Sequence, residues 1–414
     1  MTPNSNQNAS VRLRIQLYRS IADVDGGWDH VVRGQSLFLQ RPYLRAIETG
    51  DCEPLVLCYA LFFDGERPVG AARFQVTEFV GEPIGPLLDR SRVAVAFLAR
   101  KLRLVQRPFR VPVIVCGDAF HSGEHGFAFL PEVRLEDAVQ SLADAAIVLQ
   151  QELDAQGVGA AGILFKDFYD PSAALVEQLR EYAFCDFETE PDMVLRLDGR
   201  WRTFDDYLDS LSSKYRNKAR RAYAKSAGIH GRALTVDEVV IHEARLRELH
   251  DSVLRKAPYR LGTFGMRSLV NLHRSLGGEH LVRGYFRGDE LVAFLSGFVV
   301  ESSLEAHLVG LDYRFNQECA LYSRMLYDYL QLALERGLSQ VHYGRTAAEI
   351  KSTVGAVPVR MKCLLRHRQK GLNRLLPVLG RTLRVTDFPQ RRPFKQAWYA
   401  LQNPGSGSGL PQPV

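Results

Sequence analysis

Residues 304–367 decide the fold of this chain, and they read LEAHLVGLDYRFNQECALYSRMLYDYLQLALERGLSQVHYGRTAAEIKSTVGAVPVRMKCLLRH. Apolar runs, helical spacing and glycine stops divide this stretch into a strand, a long helix, a second strand, a short helix and a closing strand. Gly337 and Gly355 end the two helices, because glycine readily takes the left-handed conformation that follows a helix. The predicted elements are Leu304–Leu311, Ala320–Arg336, Gln340–Gly344, Ala347–Val354 and Val357–His367.

The long helix is predicted from the spacing of its apolar residues. These fall at i, i+3, i+4, i+7, i+8 and i+11 on one face, which predicts packing on a sheet: Tyr322, Met325, Leu326, Tyr329, Leu330 and Ala333. A strand that returns through a helix to a neighbouring strand pairs with it in parallel. Open α/β sheets commonly bind ligands at the gap where such a crossover begins.

The chain has 414 residues, with 46% hydrophobic and 24% charged residues, as in ordinary globular proteins. One hydrophobic core does not keep growing at this length, so we expect about two domains. The predicted fold class is α/β (α+β), with two domains that each hold a central mixed sheet flanked by helices. We predict domains at residues 11–190 and 191–370, a basic extension at residues 371–402 and a flexible tail at residues 403–414.

The two halves share an order of elements. Each has a hairpin that turns at a Gly/Asp pair, then an amphipathic helix and a strand. In the first half these are predicted at Leu55–Phe63, Val69–Phe79, Leu135–Leu153 and Gly162–Phe168. In the second half the hairpin is predicted at His280–Arg287 and Leu291–Val300, ahead of the helix and strand already described.

No apolar stretch approaches the roughly 20 residues that cross a bilayer, and the polar opening Met1–Ser10 lacks the apolar core of a signal peptide. We therefore expect the chain to stay in the cytoplasm. Its six cysteines are scattered, which favours reduced thiols over disulfides or zinc ligands. The segment His121-Ser-Gly-Glu-His125 has the letters of a metalloprotease motif, but Gly123 disfavours the helix that the motif requires. We expect a polar loop there and no metal.

Positive charge is concentrated in two blocks. Lys214–Arg232 contains seven basic residues and no acid, and Arg360–Lys395 contains eleven basic residues and one acid. Such blocks attract phosphate-rich partners, and the alternative is a solvated surface. Leu372–Leu383 has the spacing of a segment that contacts an anionic membrane surface or docks on the second domain. Arg391–Lys395 is predicted either to bind phosphate or to tether the tail.

Three passages resemble a known group of enzymes: Phe38–Glu48, Ser212–Lys225 and Gly344–Gly355. They are similar to the opening helix, the basic helix and the late Gly, Lys, Gly signature of tandem-domain GNAT acyltransferases, in particular the Fem-type peptidoglycan aminoacyltransferases. The resemblance implies two GNAT-like domains, the second of them catalytic. It also implies an N-acyltransferase that moves an acyl or aminoacyl group onto an amine, with substrates bound between the halves.

The same resemblance implies no permanently bound cofactor. The donor is an acyl-CoA, an acyl carrier protein or an aminoacyl-tRNA, and the acceptor carries an amine, with or without phosphate groups. The residues aligned with the pyrophosphate loop of acetyl-CoA enzymes are Gln317–Tyr322. There Ala320 and Tyr322 replace small residues, and Glu318 adds a negative charge where phosphate would bind. This departure disfavours acetyl-CoA, and Fem-type relatives tolerate the same loss.

Four residues are candidates for catalysis. Lys351 matches the late lysine of the family, and an ammonium there would stabilise a developing oxyanion or a donor phosphate. Asp312 and Tyr313 end the first strand, where they would meet the amine or the leaving group; the alternative for them is a turn. Glu349 is a candidate base for the incoming ammonium, and its alternative is a surface carboxylate.

The candidates for substrate binding are Arg216, Arg220, Lys225, Tyr322 and Arg345. Among them Arg216 matches an arginine that the resemblance assigns to acceptor diphosphate, which suits a bidentate guanidinium. A rival hypothesis is a non-catalytic module that binds nucleic acid or an anionic membrane through the basic helix and tail.

Overall fold

The computed structural model describes residues 12–81, 109–257, 259–377 and 388–402. The strands are β1 Arg14–Tyr18, β2 Leu55–Asp64, β3 Arg67–Gly81, β4 Phe109–Cys116, β5 Phe127–Phe129, β6 Gly162–Phe168, β7 Cys185–Glu188, β8 Asp192–Arg196, β9 His230–Ala233, β10 Tyr259–Leu261, β11 His280–Arg287, β12 Glu290–Val300, β13 Ser303–Leu311, β14 Gln340–His342, β15 Val357–Val359 and β16 Lys362–His367. The helices are α1 Gly27–Val31, α2 Arg41–Glu48, α3 Leu135–Ala155, α4 Ala173–Glu181, α5 Phe204–Ser210, α6 Ser213–Lys225, α7 Val236–Ile241, α8 Glu243–Leu254, α9 Met266–Leu276, α10 Tyr313–Cys319, α11 Leu321–Glu335, α12 Ala348–Ser352, α13 Lys370–Asn373 and α14 Gln396–Gln402.

These strands form two mixed sheets flanked by helices, which confirms the predicted fold class. The first sheet has the order β1-β2-β3-β4-β6-β16-β7, with β5 and β10 also paired to β3. The second has the order β15-β8-β14-β13-β12-β11-β9. Each sheet contains a parallel pair, β4 with β6 in the first and β13 with β14 in the second. The predicted similarity in the order of elements between the halves is therefore present in the sheets.

The predicted closing strand Val357–His367 is wrong as a single strand. Its first part, β15, pairs with β8 in the second sheet. Its second part, β16, crosses to the first sheet and lies between β6 and β7. The chain changes sheets at Arg360 and Met361, without a glycine turn that would have marked the break. Because β10 also pairs with β3, two strands from residues 191–370, β10 and β16, belong to the first sheet.

The two halves share a hydrophobic core. One continuous cluster of buried side chains contains Trp28 and Tyr43 from the first half and Leu249, Leu269 and Phe298 from the second. A second cluster lies between the second sheet and α11, and a third lies between the first sheet and α3. The surface between the halves is therefore packed like an interior over much of its area.

The basic extension is anchored at both of its described ends. Leu372 and Leu376 are buried, and the Asn373 amide donates to Ala183 O at 2.8 Å. This contact places α13 against the first sheet instead of the second domain. Residues 378–387, which include part of the predicted membrane-contacting segment, lie outside the described residues. No helix in the described ranges has the length and apolar character needed to cross a membrane.

The segment Arg391–Lys395 tethers the end of the chain to the second half, as one of the two interpretations predicted. Phe394 is buried and its ring lies 5.5 Å from that of Trp201. The Ser212 amide donates to Pro393 O at 2.9 Å, and the Lys395 amide donates to Ser210 O at 2.9 Å. The predicted flexible tail at residues 403–414 lies outside the described residues.

The segment His121–His125 forms a loop, as predicted, but it is not a polar surface loop. His121 is buried and stacks on Phe38 with ring centroids 4.2 Å apart. His280 and His307 lie near the same aromatic cluster, each 4.9 Å from the ring of Phe298. Within the described ranges no group of three or more metal-ligating side chains is placed to hold an ion. None of the six cysteines, all of them described, forms a disulfide, and four are buried.

Burial lowers the pKa of five histidines, namely His125, His250, His280, His307 and His367. For His280, burial and then the neighbouring His273 lower the pKa to about 3. Above about pH 6.5 such a histidine is neutral in both the folded and the unfolded state. Below that pH the histidine binds a proton in the unfolded state but stays neutral in the folded state. The free energy of unfolding therefore decreases as the pH falls.

We expect His280→Leu to reduce the loss of unfolding free energy between pH 7.5 and pH 5, because the buried imidazole alone accounts for about 2 kcal/mol of that loss at pH 5. Urea unfolding followed by circular dichroism at the two pH values measures it. The matched control is His230→Leu, at an exposed position, which should keep the wild-type difference. An unchanged difference in His280→Leu would contradict the prediction.

Candidate functional site

A cleft opens between the parallel strands β13 and β14. The two strands pair at three positions, and the last pair is Glu305 with His342. Just beyond it, Ser296 of β12 faces both His307 and Leu308, which is a β-bulge in β13. The Ser296 hydroxyl accepts a hydrogen bond from the Leu308 amide at 3.0 Å, which fixes the bulge. The predicted opening between neighbouring parallel strands is therefore present.

The cleft contains a cavity of about 120 Å³. Its walls come from β13, from α11 and from the segment that joins β14 to α12. The lining residues are Ala306, His307, Val309, Tyr322, Met325, Leu326, Tyr329, Tyr343, Arg345, Thr346 and Lys351. Three of the predicted site residues, Tyr322, Arg345 and Lys351, are thus brought together.

Lys351 points into this cavity and is only 4% exposed. Its Nζ donates to Gly344 O at 3.0 Å and to Arg345 O at 2.5 Å. Burial lowers the pKa of Lys351 to about 7, although the negative charges of Asp192 and Glu190 oppose the shift. Near neutral pH the side chain is therefore divided between its ammonium and amine forms.

The segment that Lys351 holds has an unusual backbone. Gly344, Thr346 and Ala347 have φ of 71°, 63° and 49°. For Thr346 and Ala347 this left-handed conformation costs on the order of 1–3 kcal/mol each. Arg345, which lies between Gly344 and Thr346, forms an ion pair with the buried Asp167 of β6. The segment is thus held by the hydrogen bonds from Lys351 and by the ion pair with Asp167 of the first half.

On the face of the sheet opposite α11, a cluster of polar side chains surrounds the last strand pair. His342 Nδ1 lies 2.6 Å from Asp192 Oδ2 of β8, and His342 Nε2 lies 3.8 Å from Glu305 Oε1. His121 Nε2 lies 3.5 Å from Glu305 Oε2. The Tyr169 hydroxyl donates to Asp192 Oδ2 at 3.3 Å. Both halves therefore contribute to this cluster.

The charges of the cluster shift its pKa values. Burial alone would lower the pKa of His342, but the Asp192 hydrogen bond and the charges of Glu305 and Asp192 raise it above its ordinary value. Burial likewise opposes the charge of Asp192, whose pKa is nevertheless lowered by the His342 contact. Sequence reasoning missed these residues. A histidine and a glutamate on strands expected to be buried were the available signal.

Asp312 and Tyr313 lie outside the cavity lining. The Asp312 side chain caps α10 by accepting from the Arg314 amide at 3.1 Å, which matches the turn alternative. Hydrogen bonds from Arg314, and then from Arg245, lower the pKa of Asp312 to about 2 despite partial burial. Lys256 Nζ lies over the Tyr313 ring, 3.3 Å from the centroid of the ring.

A second concavity, which we name the basic groove, lies on the outer side of α12. It has a volume of about 520 Å³ and is lined by Lys214, Tyr215, Asn217, Lys218, Arg221, Glu349, Thr353 and Arg391. Lys218 Nζ donates to Thr353 Oγ1 at 3.1 Å. Glu349 is paired with Arg391 at 2.5 Å, which agrees with its alternative as a surface carboxylate.

The three cations predicted on α6 do not line the basic groove. Arg216 lies 3.6 Å from Asp209, and Arg220 and Lys225 are exposed. The groove instead collects Lys214, Lys218 and Arg221, whose spacing of i, i+4 and i+7 places them on one face. That spacing was the signal in the sequence that would have found them.

The start of α11 is occupied by the protein itself. Asn316 Oδ1 accepts the Tyr322 amide at 3.0 Å, and Ala320 has a φ of 51°. A phosphate at this helix end would have to displace the Asn316 side chain. The geometry agrees with the departure seen at Gln317–Tyr322.

Ala320→Gly should stabilise the protein by about 0.5–1 kcal/mol, since glycine takes the left-handed conformation without the clash of a Cβ atom. Ala320→Val, at the same position, should destabilise it, because a branched side chain is strained there. The urea midpoint at constant slope measures both changes. If glycine lowered the midpoint as much as valine does, the left-handed assignment of Ala320 would be wrong.

Comparison with known proteins gives structural similarity only. No protein family model and no curated protein matches the chain. A tandem GNAT protein from the clavulanic acid biosynthesis pathway is 12% identical, with a TM-score of 0.49, over 86% of this chain and 98% of that chain. FemX is 11% identical, with a TM-score of 0.47, over 84% and 97%. The C-terminal domain of a putative lysylphosphatidylglycerol synthetase from Agrobacterium fabrum is 11% identical, with a TM-score of 0.45, over 86% and 95%. Tandem GNAT and Fem-type proteins, the two kinds that the sequence passages resemble, are thus among the similar structures.

Proposed function

We propose that the protein is an N-acyltransferase that moves an acyl or aminoacyl group onto an amine. The observation that carries this proposal is the cavity between β13 and β14, with the buried Lys351 at its wall. Acyl transfer requires a held carbonyl, hydrogen-bond donors for the developing oxyanion and a neutral amine. The cavity supports the first two requirements.

Donors for the oxyanion come from the strand edge and from Lys351. β14 ends at His342, so in the described residues the facing edge of β13 has no strand partner beyond Glu305. Such an edge presents unpaired backbone groups. A protonated Lys351 adds a cation in a site with little water, where its interaction with negative charge is strong.

The size and chemistry of the cavity limit the donor. A volume of about 120 Å³ corresponds to about four water molecules, enough for an acyl or small aminoacyl group and too small for its carrier. The carrier would remain outside, as acyl-CoA, acyl carrier protein or aminoacyl-tRNA. Because Asn316 already occupies the start of α11, we favour a carrier that does not place a pyrophosphate there.

Lys351→Met should lower kcat by about 100–1,000-fold, the range seen when one oxyanion donor is removed. In the wild type, kcat should also fall above about pH 7, because Lys351 loses its proton there. Mass spectrometry of the product, with acyl-CoA, acyl carrier protein and aminoacyl-tRNA as donors, measures the rates.

The control for this prediction is Lys370→Met, at an exposed lysine outside the cavity, which should keep wild-type rates. Since Lys351 also holds Gly344 and Arg345, circular dichroism must show that Lys351→Met is folded. A folded Lys351→Met that turns over at the wild-type rate would exclude this role.

We further propose that the basic groove holds phosphate groups of a substrate. Lys214, Lys218 and Arg221 converge there, and within the described residues none of them forms an ion pair with a carboxylate. Glu349, the carboxylate that lines the groove, is paired with Arg391. Such uncompensated cations attract polyanions. The same observation favours the second candidate function, a module that binds nucleic acid without catalysis.

Reversing charge in the groove with Lys214→Glu and Arg221→Glu together should raise KM for a phosphate-bearing substrate at least about tenfold, with little change in kcat. The matched control reverses Arg216 and Arg220, which lie outside the groove on the same helix. If instead the protein binds RNA with a steep salt dependence and no donor is turned over, the binding module is the correct function.

A further inference from the structure

The acceptor of an acyl transferase enters the reaction as an ammonium ion, and the cavity lining does not explain where its proton goes. Lys351 already donates to two carbonyls in that cavity. The polar cluster on the opposite face of the second sheet lies directly beside the same opening. It is formed by Asp192, His342 and Glu305, with His121 and Tyr169 from the first half.

We propose that His342, oriented by Asp192 and facing Glu305, is the general base that takes a proton from the acceptor amine. This inference rests on the proposed acyl transfer. His342 and Glu305 form the last pair before β13 and β14 diverge. Ala306, the next residue of β13, and Tyr343, the first residue after β14, already line the cavity. A strand rises about 3.3 Å per residue. Measured along the strands, the imidazole therefore lies about one residue from the proposed position of the acyl group.

The alternation of side chains places the two substrates on opposite faces of the sheet. Leu304 and Val341 face α11 and belong to its buried cluster. Glu305 and His342 therefore point the other way, toward the first half. An acyl group held in the cavity on the α11 side would meet an amine that approaches from the seam between the halves. In this proposal, the gap between the diverging strands joins the two sides.

The hydrogen bonds assign a role to each ring nitrogen. Nδ1 of His342 donates to Asp192 at 2.6 Å, which leaves Nε2 as the acceptor. Within the described residues Nε2 makes no hydrogen bond, and Glu305 Oε1 lies 3.8 Å away. The Glu305 carboxylate attracts the ammonium, and Nε2 takes its proton. Asp192 is a positioning residue, held in turn by the Tyr169 hydroxyl.

The reaction balances in protons and electrons. The ammonium gives one proton to Nε2 of His342, which later releases it to solvent. The amine lone pair forms the new N–C bond as the carbonyl electrons move onto oxygen. When they return, the bond from carbon to the leaving atom breaks. The second proton of the nitrogen ends on that leaving atom, which departs as a thiol or an alcohol.

The charged and titratable groups around His342 define its pH behaviour. Asp192 faces it from β8, Glu305 from β13 and His121 from the loop after β4. Tyr169, after β6, reaches Asp192, and the charge of Lys351 also acts on Asp192. The charge of Glu190 acts on Lys351. Burial would lower the pKa of His342, but the two carboxylates next to the ring raise it. The neutral ring that can accept a proton therefore predominates only at a higher pH than for an ordinary histidine.

The test compares wild type with His342→Gln, using an alkylamine acceptor and then hydroxylamine. An alkylamine is protonated at pH 7 and needs a base, whereas hydroxylamine is already neutral. We expect His342→Gln to lower kcat at pH 7 by about 100–10,000-fold with the alkylamine. With hydroxylamine the rate should remain within about threefold of wild type, since no base is needed. Equal losses with both acceptors, or no loss with either, would overturn the inference.

A second variant tests the positioning role and does not require turnover. Asp192→Asn should lower the pKa of His342, read from the pH titration of its ring signals in histidine-labelled NMR spectra. The control is Glu177→Gln, at an exposed carboxylate of α4, which should leave the titration unchanged. An unshifted titration in a folded Asp192→Asn would overturn the role of Asp192.

The wild-type measurement separates this inference from the proposed function. If the wild type turns over no donor of the panel, the proposed function fails and this inference fails with it. If the wild type is active and His342→Gln matches it on the alkylamine, only the assignment of the base is wrong.

Discussion

The short parallel pairing of β13 with β14 is the constraint on which the site depends. The two strands share three paired positions and then separate at the bulge opposite Ser296. Because a paired sheet has no room for a ligand between its strands, the early end of this ladder creates the cavity. It also sets Glu305 and His342 at the rim, where backbone pairing still fixes their positions.

The shared hydrophobic core gives this opening its rigidity. Side chains from both halves pack in one cluster behind the second sheet. The two halves are therefore joined by a continuous hydrophobic core. The ion pair between Arg345 and Asp167 and the contacts of His121 and Tyr169 cross the same seam. A strained backbone at Thr346 and Ala347 persists only where neighbouring contacts over-determine it, and these contacts do so.

Sequence patterns predicted the elements that depend on local spacing. The apolar period of Ala320–Arg336 gave the long helix within one residue at each end, and Gly337 and Gly355 marked the stops. Lys351 was identified by its resemblance to the family's late lysine, and the structure places it in the wall of the opening. The partner of β16 was not predictable, since alternating apolar residues define a strand face without naming the sheet. The Asp192, Glu305 and His342 cluster joins three strands far apart in sequence, so no local pattern contained it. On α6, the resemblance favoured Arg216, whereas the spacing of Lys214, Lys218 and Arg221 marks the residues that line the groove.

The crossing of β16 has a consequence for synthesis on the ribosome. β7 ends at residue 188 and β16 ends at residue 367, so 367 − 188 = 179 residues must be added before the gap between β6 and β7 can be filled. At about 5–20 residues per second this takes on the order of 10–40 s. During that interval the nascent first sheet exposes two open strand edges, a state prone to association with other chains. Folding of the amino-terminal half is thus completed by the last strand of the described residues to emerge.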